Sequence, residues 1–314
     1  MIENLRSKIV KTILPLMTTE VIIVDAPYYG NIGDVLIWQG IKDFFDENNI
    51  KIKGIYSVDT FKFVNIKASI TIVLTGGGNF GDLYRFYHEF RLKIIQHYPH
   101  NKIVVMPQSV YYRSSDFLAH DVQIINSHRN LSIIARDQVS YNFMREHFTK
   151  TNILIAPDMA FYISDTLIDK YRATKPHKDT ICLFREDKES VLSLSSLRGN
   201  GFDICDWPTI GKVPSVIKGL DVCYRVARKL RVVRLDVLVN KLCDRIANIF
   251  IRKSFVHQGC KLLSDYKSIY STRLHGMILG ILLDKDVVCI DNSTGKISAF
   301  YNTWLTDLDS LRVK

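Results

Sequence analysis

The chain has 314 residues, of which 47% are hydrophobic and 24% charged, with 42 Lys and Arg against 32 Asp and Glu for a formal net charge of +10. These proportions describe a folded globular protein long enough for two cores, and no apolar run approaches the roughly 20 residues that span a bilayer. The six cysteines (Cys182, Cys205, Cys223, Cys243, Cys260 and Cys289) all lie in the C-terminal half without a C-x-x-C pair, which argues for reduced thiols in a cytosolic compartment and against a structural zinc site.

In chain order, the first segment places Glu3 and Lys11 among Ile9, Val10, Ile13 and Leu14, a pattern that suits a short amphipathic helix better than a signal peptide. Residues 21–26 read as a strand and residues 35–45 as a helix with Ile37, Trp38, Ile41, Phe44 and Phe45 on one face. Further strands are expected at 70–75, 102–106, 131–135 and 152–156, with a helix over about 82–98 and helical stretches near Asp121 and Val139. This alternation predicts a parallel sheet with crossover helices. The polar passage 164–179, which contains Lys175-Pro176-His177-Lys178, reads as a linker. A second series follows at 180–184, 201–205, 267–271 and 286–290, with a helix from Leu274. The expected fold class is α/β, with two Rossmann-like domains over residues 1–170 and 171–314 facing a cleft.

Most of the excess positive charge lies between Lys212 and Lys253, where eleven Lys and Arg face three acids, Asp221, Asp236 and Asp244. The spacing of Val222, Val226, Leu230, Val233, Val237, Leu242, Ile246 and Ile249 predicts basic amphipathic helices in this insertion. Such a surface either lies on an anionic membrane or covers the core with a solvated face.

Five loops at predicted strand ends carry the candidate chemistry. Tyr28-Tyr29-Gly30-Asn31-Ile32-Gly33-Asp34 joins a strand to a helix, with Asp34 placed to be its N-cap. Thr75-Gly76-Gly77-Gly78-Asn79-Phe80-Gly81-Asp82 matches G-x-G-x-x-G, yet the next strand ends in Pro107-Gln108 without an acid for a ribose, and no P-loop lysine follows. A glycine-rich turn that aims amides at an anion or a sugar is what remains. In Ala135-Arg136-Asp137 the arginine either projects into the cleft or pairs with Asp137 or Asp158. Ser271-Thr272-Arg273-Leu274-His275-Gly276 brings two basic groups to a helix N-terminus, where the dipole also favours an anion. A surface arginine beside a core histidine is the plainer alternative. In Asp291-Asn292-Ser293-Thr294-Gly295-Lys296, the lysine opposes the dipole of the helix it starts, which a bound anion would explain.

Taken in order, Asn31 to Asp34, Gly76 to Asn79, Pro107-Gln108-Ser109, Ala135-Arg136-Asp137, Ala156-Pro157-Asp158, Arg273 to Gly276 and Lys296 resemble the motifs of the polysaccharide pyruvyl transferase family. The resemblance implies a fold similar to the GT-B glycosyltransferases and transfer of pyruvate from phosphoenolpyruvate to a sugar of a cell-surface polysaccharide precursor as a ketal, releasing phosphate. It implies phosphoenolpyruvate as co-substrate with no cofactor or metal, donor contacts at Arg136, Arg273, His275, Ser293, Gly295 and Lys296, and acceptor contacts at Asn31, Asp34, Gly77, Gly78, Asn79 and Gln108. His275 would shuttle protons and Asp34 would act as base. The acceptor would be a saccharide or lipid-linked oligosaccharide, met in the cytoplasm or peripherally at the inner face of the plasma membrane through residues 212–253. A GT-B enzyme using a nucleotide sugar is the nearest rival, though no convincing acid for the donor stands near Ser293 to Lys296. A basic nucleic-acid-binding protein is the rival of another class, without a recognised motif.

Overall fold

Helix α1 (Ile2–Ile13) buries Leu5, Ile9 and Ile13 along one face and precedes a seven-stranded parallel sheet. The computed structural model describes residues 1–29, 31–185, 201–207, 219, 222, 226, 241, 242, 244–291 and 293–313. The sheet comprises β1 (Glu20–Val24), β2 (Lys51–Ile55), β3 (Thr71–Leu74), β4 (Gly77–Gly81), β5 (Ile103–Tyr111), β6 (Leu131–Ala135) and β7 (Asn152–Ile155) in the order β2-β1-β3-β5-β6-β7. Strand β4 continues beyond β3 and pairs with the far end of β5, Gly77 opposite Gln108 and Phe80 opposite Val110. Between the strands run α2 (Ile32–Glu47), α3 (Arg85–His97), α4 (Ser115–Ser127) and α5 (Gln138–His147).

The second half holds α6 (Asp165–Arg172), β8 (Lys178–Leu183), β9 (Asp203–Cys205), α7 (Lys253–Ser264), β10 (Tyr266–Ser271), α8 (Leu274–Leu282), β11 (Asp286–Cys289), α9 (Lys296–Trp304) and β12 (Leu311–Val313). Its five strands are also parallel, ordered β12-β11-β10-β8-β9. In each sheet the first strand lies between the second and third, so a switch in strand order opens between β1 and β3 and again between β8 and β10. Ligands of open α/β sheets bind beyond the carboxyl ends of such strands.

Alternation along β1 shows where the core sits. Ile22 and Val24 enter a cluster with Ile72, Leu74 and Ile103 on one face of the first sheet. Val21 and Ile23 enter another that runs on through Ile41 and Phe44 to Ile181, Leu183, Met277 and Val287 of the second half. One continuous apolar core therefore fixes the two sheets to each other.

One expectation is corrected, two strands are added, and one expectation falls mostly outside the described residues. The passage 164–179 is not a bare linker: it contains α6, whose first residue Asp165 pairs with Arg6 of α1. Strands β2 and β4 escape the pattern reading because one is the charged edge segment KIKGI and the other the glycine-rich GGNFG. Most of the basic insertion at 212–253 lies outside the described residues. Where it is described, Val222, Val226, Leu242, Ile249 and Phe250 are exposed, and a π-helical turn (Ala247–Arg252) leads into α7.

Helix α2 meets the 3-10 turn Met159–Tyr162 backbone against backbone, and a Cβ on Gly40 would stand 1.8 Å from the Met159 carbonyl oxygen. Gly40→Ala is expected to lower the unfolding free energy in urea by about 3 kcal/mol, although alanine is the better helix former. An unchanged or higher urea midpoint would contradict this packing.

Candidate active site

The loops at both switch points open into one cavity of about 340 Å³. From the first half come Tyr29, Asn31 and Asp34 after β1, Gly78 and Asn79 after β3, and Arg136 after β6; from the second come Arg185 after β8, Trp207 after β9, Arg273 and His275 after β10, and Lys296 after β11. Tyr84 and Tyr87 complete one wall.

Asp158, on the turn after β7, organises the floor. It is fully buried, its Oδ1 accepts from Ala160 N at 2.9 Å, and its Oδ2 accepts from Arg136 Nη1 at 2.9 Å. His275 Nε2 stands 3.4 Å from the same oxygen, near enough to interact by charge but out of line for a hydrogen bond. Burial opposes the Asp158 charge, but His275, Arg136 and the Ala160 amide prevail and hold its carboxyl well below the usual aspartate range. Arg136 also donates from Nε to Ser109 Oγ at 2.8 Å, and Ser109 donates to Asp137 Oδ2 at 2.6 Å. Between the two partners that the sequence leaves open, Arg136 pairs with Asp158, while Asp137 caps α5 through Ser140 N.

Two glycines permit the convergence by lacking a side chain. A Cβ on Gly33 would lie 2.5 Å from His275 Nδ1, so this residue of α2 is what lets α8 bring its histidine in. A Cβ on Gly78 would lie 2.9 Å from Lys296 Nζ and 3.2 Å from Arg136 Nη2. Lys296 is 7% exposed and donates to the Gly78 carbonyl oxygen at 3.1 Å. The Asp291 carboxylate accepts from Ile297 N and Ser298 N at 3.0 and 3.1 Å, giving α9 the anionic cap that offsets a lysine in its first turn.

Asp34 is not the cap of α2. Asn31 fills that place, its side chain accepting from Gly33 N at 2.9 Å, which leaves the Asp34 carboxylate turned to the cavity. Burial raises the Asp34 pKa above the ordinary aspartate value, against the opposing pull of His275, a hydrogen bond from Tyr29 and Arg136. The Tyr29 hydroxyl donates to Asp34 Oδ2 at 3.1 Å. Asn79 is held from behind: Arg91 Nη2 donates to its Oδ1 at 2.7 Å, while Arg91 Nε donates to Asp25 Oδ2 at 2.6 Å. Asp25 also accepts from Thr75 N at 2.7 Å, so one buried ion pair ties the loops after β1 and β3 together.

Of the residues expected at the site, Asn31, Asp34, Gly78, Asn79, Arg136, Arg273, His275 and Lys296 line the cavity. Four do not. Gly77, at φ 129°, packs behind it against Asp34 and Ile37, and Gln108 is buried, donating to the Thr75 carbonyl oxygen at 2.6 Å. Ser293 is exposed on the turn before α9, and Gly295, at φ 68°, occupies the N-cap of that helix. The sequence reading missed Arg185, Trp207 and the aromatic wall, and also Asp206, which grips the Arg273 guanidinium through both Oδ1 and Oδ2. Among the described residues no group of three or more His, Cys, Asp or Glu is arranged to hold a metal.

Among the described residues the lining holds four permanent cations, Arg136, Arg185, Arg273 and Lys296, with His275, and one carboxylate, Asp34, while Asp158 and Asp206 behind the lining pair with Arg136 and Arg273. Such a set suits an anion with more than one charged group.

A family model described as polysaccharide pyruvyl transferase matches residues 31–294. The Bacillus subtilis (strain 168) protein EpsO, which carries the name pyruvyl transferase, is 33% identical over 94% of this chain and 88% of its own length. Pyruvyl transferase 1 of Schizosaccharomyces pombe (strain 972 / ATCC 24843) is 25% identical over 91% of this chain and 70% of its own length. The crystal structure of KP1_0663 from Klebsiella pneumoniae subsp. pneumoniae NTUH-K2044 shares the fold, with a TM-score of 0.66, 21% identity, and coverage of 99% of this chain and 98% of that one. With the model matched over most of its length and its motifs gathered around one cavity, the chain belongs to the polysaccharide pyruvyl transferase family.

Proposed function

We propose that the cavity binds phosphoenolpyruvate and transfers its pyruvate to a sugar of a cell-surface polysaccharide precursor as a ketal. The observation that carries this reading is the meeting of Arg136, Arg185, Arg273, Lys296 and His275 from both sheets in one small space. Phosphoenolpyruvate bears a carboxylate and a phosphate, and fixed cations recognise both and stabilise charge as phosphate leaves. The equivalent winding of the two sheets, with the cavity at their carboxyl ends, supports a GT-B-like arrangement.

The chemistry requires a proton on the methylene carbon, attack of one sugar hydroxyl on C2, departure of phosphate with the bridging oxygen, and attack of a second hydroxyl on the same carbon. Two hydroxyl protons are released. One balances the new methyl group and the other leaves with phosphate. His275 delivers the first proton and Asp34 accepts one from a hydroxyl, a reading supported by both side chains lining the cavity. The Tyr29 hydrogen bond orients the Asp34 carboxylate, and the raised pKa makes it a stronger base than an exposed aspartate. No cofactor is needed. A nucleotide-sugar donor fits less well, because Asp291, the acid on the loop before α9, is engaged by helix amides rather than offered to a ribose.

The acceptor side extends this reading to a membrane. Leu242, Ile249 and Phe250 are exposed beside the exposed Lys241, Arg245 and Lys253, an apolar and cationic face that suits the headgroup region of an anionic bilayer at the cytoplasmic side. No helix among the described residues is long and apolar enough to cross a membrane.

Incubation with phosphoenolpyruvate and the glycan precursors of the producing cell is expected to release phosphate and add a pyruvate ketal to a saccharide, read by mass spectrometry. His275→Ala is expected to cut this turnover by at least about 100-fold with an unchanged melting temperature. The acid limb of kcat/KM is expected above the ordinary aspartate range of about 3.9, because a carboxyl with a raised pKa protonates earlier as pH falls and a protonated Asp34 accepts no proton. Near wild-type turnover in His275→Ala, or a limb at or below that range, would contradict these roles. In flotation with vesicles containing anionic lipid, the protein is expected to rise at low salt and to be released at high salt. No binding at low salt would remove the membrane from the account.

A further inference from the structure

Part of the cavity lining is aromatic, and the aromatic surface continues beyond it. Tyr29 and Tyr87 line the cavity with ring centroids 4.9 Å apart, and Phe86, outside it, lies 5.3 Å from Tyr87. The ring planes turn from one to the next by 47° and 82°, so the strip presents separate faces rather than one flat platform. Tyr29 and Phe86 are exposed, at 42% and 63%, and Tyr87 between them is half-buried. Phe86 sits in the first turn of α3 and stays exposed, while Phe90 one turn further on, Leu92, Ile94 and Ile95 are buried. Exposed aromatic rings continuous with a ligand cavity mark a binding groove.

Resting on the pyruvyl transfer reading above, we infer that Tyr29, Tyr87 and Phe86 form the acceptor subsite and that the acceptor engages it with at least two sugar units. The apolar face of a pyranose, where axial C–H bonds project, packs against the π face of an aromatic ring, while its hydroxyls need a carboxylate at the edge. Tyr29 and Asp34 supply that pair together, the tyrosine hydroxyl bonded to the carboxylate at 3.1 Å. The terminal sugar enters over Tyr29 and Tyr87 with its hydroxyls toward Asp34. A cavity of about 340 Å³ lies at the small end of ligand pockets and is shared with the donor. The next sugar therefore stays outside, against Phe86. Specificity for chain length is set at Phe86, and specificity for the modified hydroxyls at Asp34.

Saturation-transfer NMR and calorimetry with the full chain test this, using glucose, galactose, mannose and N-acetylglucosamine with their β-linked di- and tetrasaccharides, each in the presence of phosphoenolpyruvate. In at least one series the disaccharide is expected to bind roughly tenfold tighter than the monosaccharide, the worth of one aromatic contact. Phe86→Ala is expected to erase that increment while leaving monosaccharide binding and the melting shift with phosphoenolpyruvate intact, and Tyr87→Ala to weaken both sugars. An intact phosphoenolpyruvate shift with no sugar bound in any series, with no gain from the second unit, or with a gain that survives Phe86→Ala overturns the subsite. No phosphoenolpyruvate shift together with a Phe86-dependent gain refutes the donor instead and leaves the subsite standing.

Discussion

The site depends on one buried carboxylate. Asp158 is fully buried, accepts from Arg136 and from the backbone it caps, and faces His275 from the other half of the molecule. A charge in that position is tolerable only while it is paired and hydrogen-bonded, and removing either partner would leave the other buried without compensation. The same oxygen that pairs with Arg136 on the first sheet lies 3.4 Å from the histidine at the start of α8 on the second. Asp158 is thus the point at which charged side chains of the two halves meet.

Around that anchor the fold supplies convergence without long loops. Each sheet reverses its strand order once, at β1/β3 and at β8/β10, and the two crevices share the cavity. Continuous apolar packing beneath them holds the crevices in register. Close approach is then a matter of removing side chains, which Gly33 does for His275 and Gly78 for Lys296 and Arg136. The glycine motifs thus make room for neighbouring side chains, and the dinucleotide reading of G-x-G-x-x-G has no counterpart: that segment is partly strand β4, and its Asn79 is gripped by Arg91.

The parallel α/β architecture is legible in the sequence because the central strands β3, β5 and β6 are short apolar runs and the crossover helices keep an apolar period. Motif residues at strand ends are legible too, since a basic group just past an apolar strand has few structural uses; Arg136, Arg273, His275 and Lys296 all reach the cavity. What is hidden depends on pairing between distant segments. Arg185, Asp206 and Trp207 acquire their places only when β8, β9 and β10 align, and nothing local marks them. Asp34 yields its expected cap to Asn31 because a side chain at the N-cap reaches N2 or N3, whereas one within the first turn projects outward. Ser293 and Gly295 shape the turn into α9 instead of touching the cavity.

Thermal unfolding tests most directly whether the cations lining the cavity form a phosphoenolpyruvate site. Melting temperature should rise with phosphoenolpyruvate, since a ligand at about 100 times its Kd adds roughly 2.7 kcal/mol to stability. It should rise far less with inorganic phosphate or with UDP- and GDP-sugars, and the rise should vanish in Lys296→Ala. A rise with a nucleotide sugar and none with phosphoenolpyruvate would contradict the account and return the cavity to glycosyl transfer.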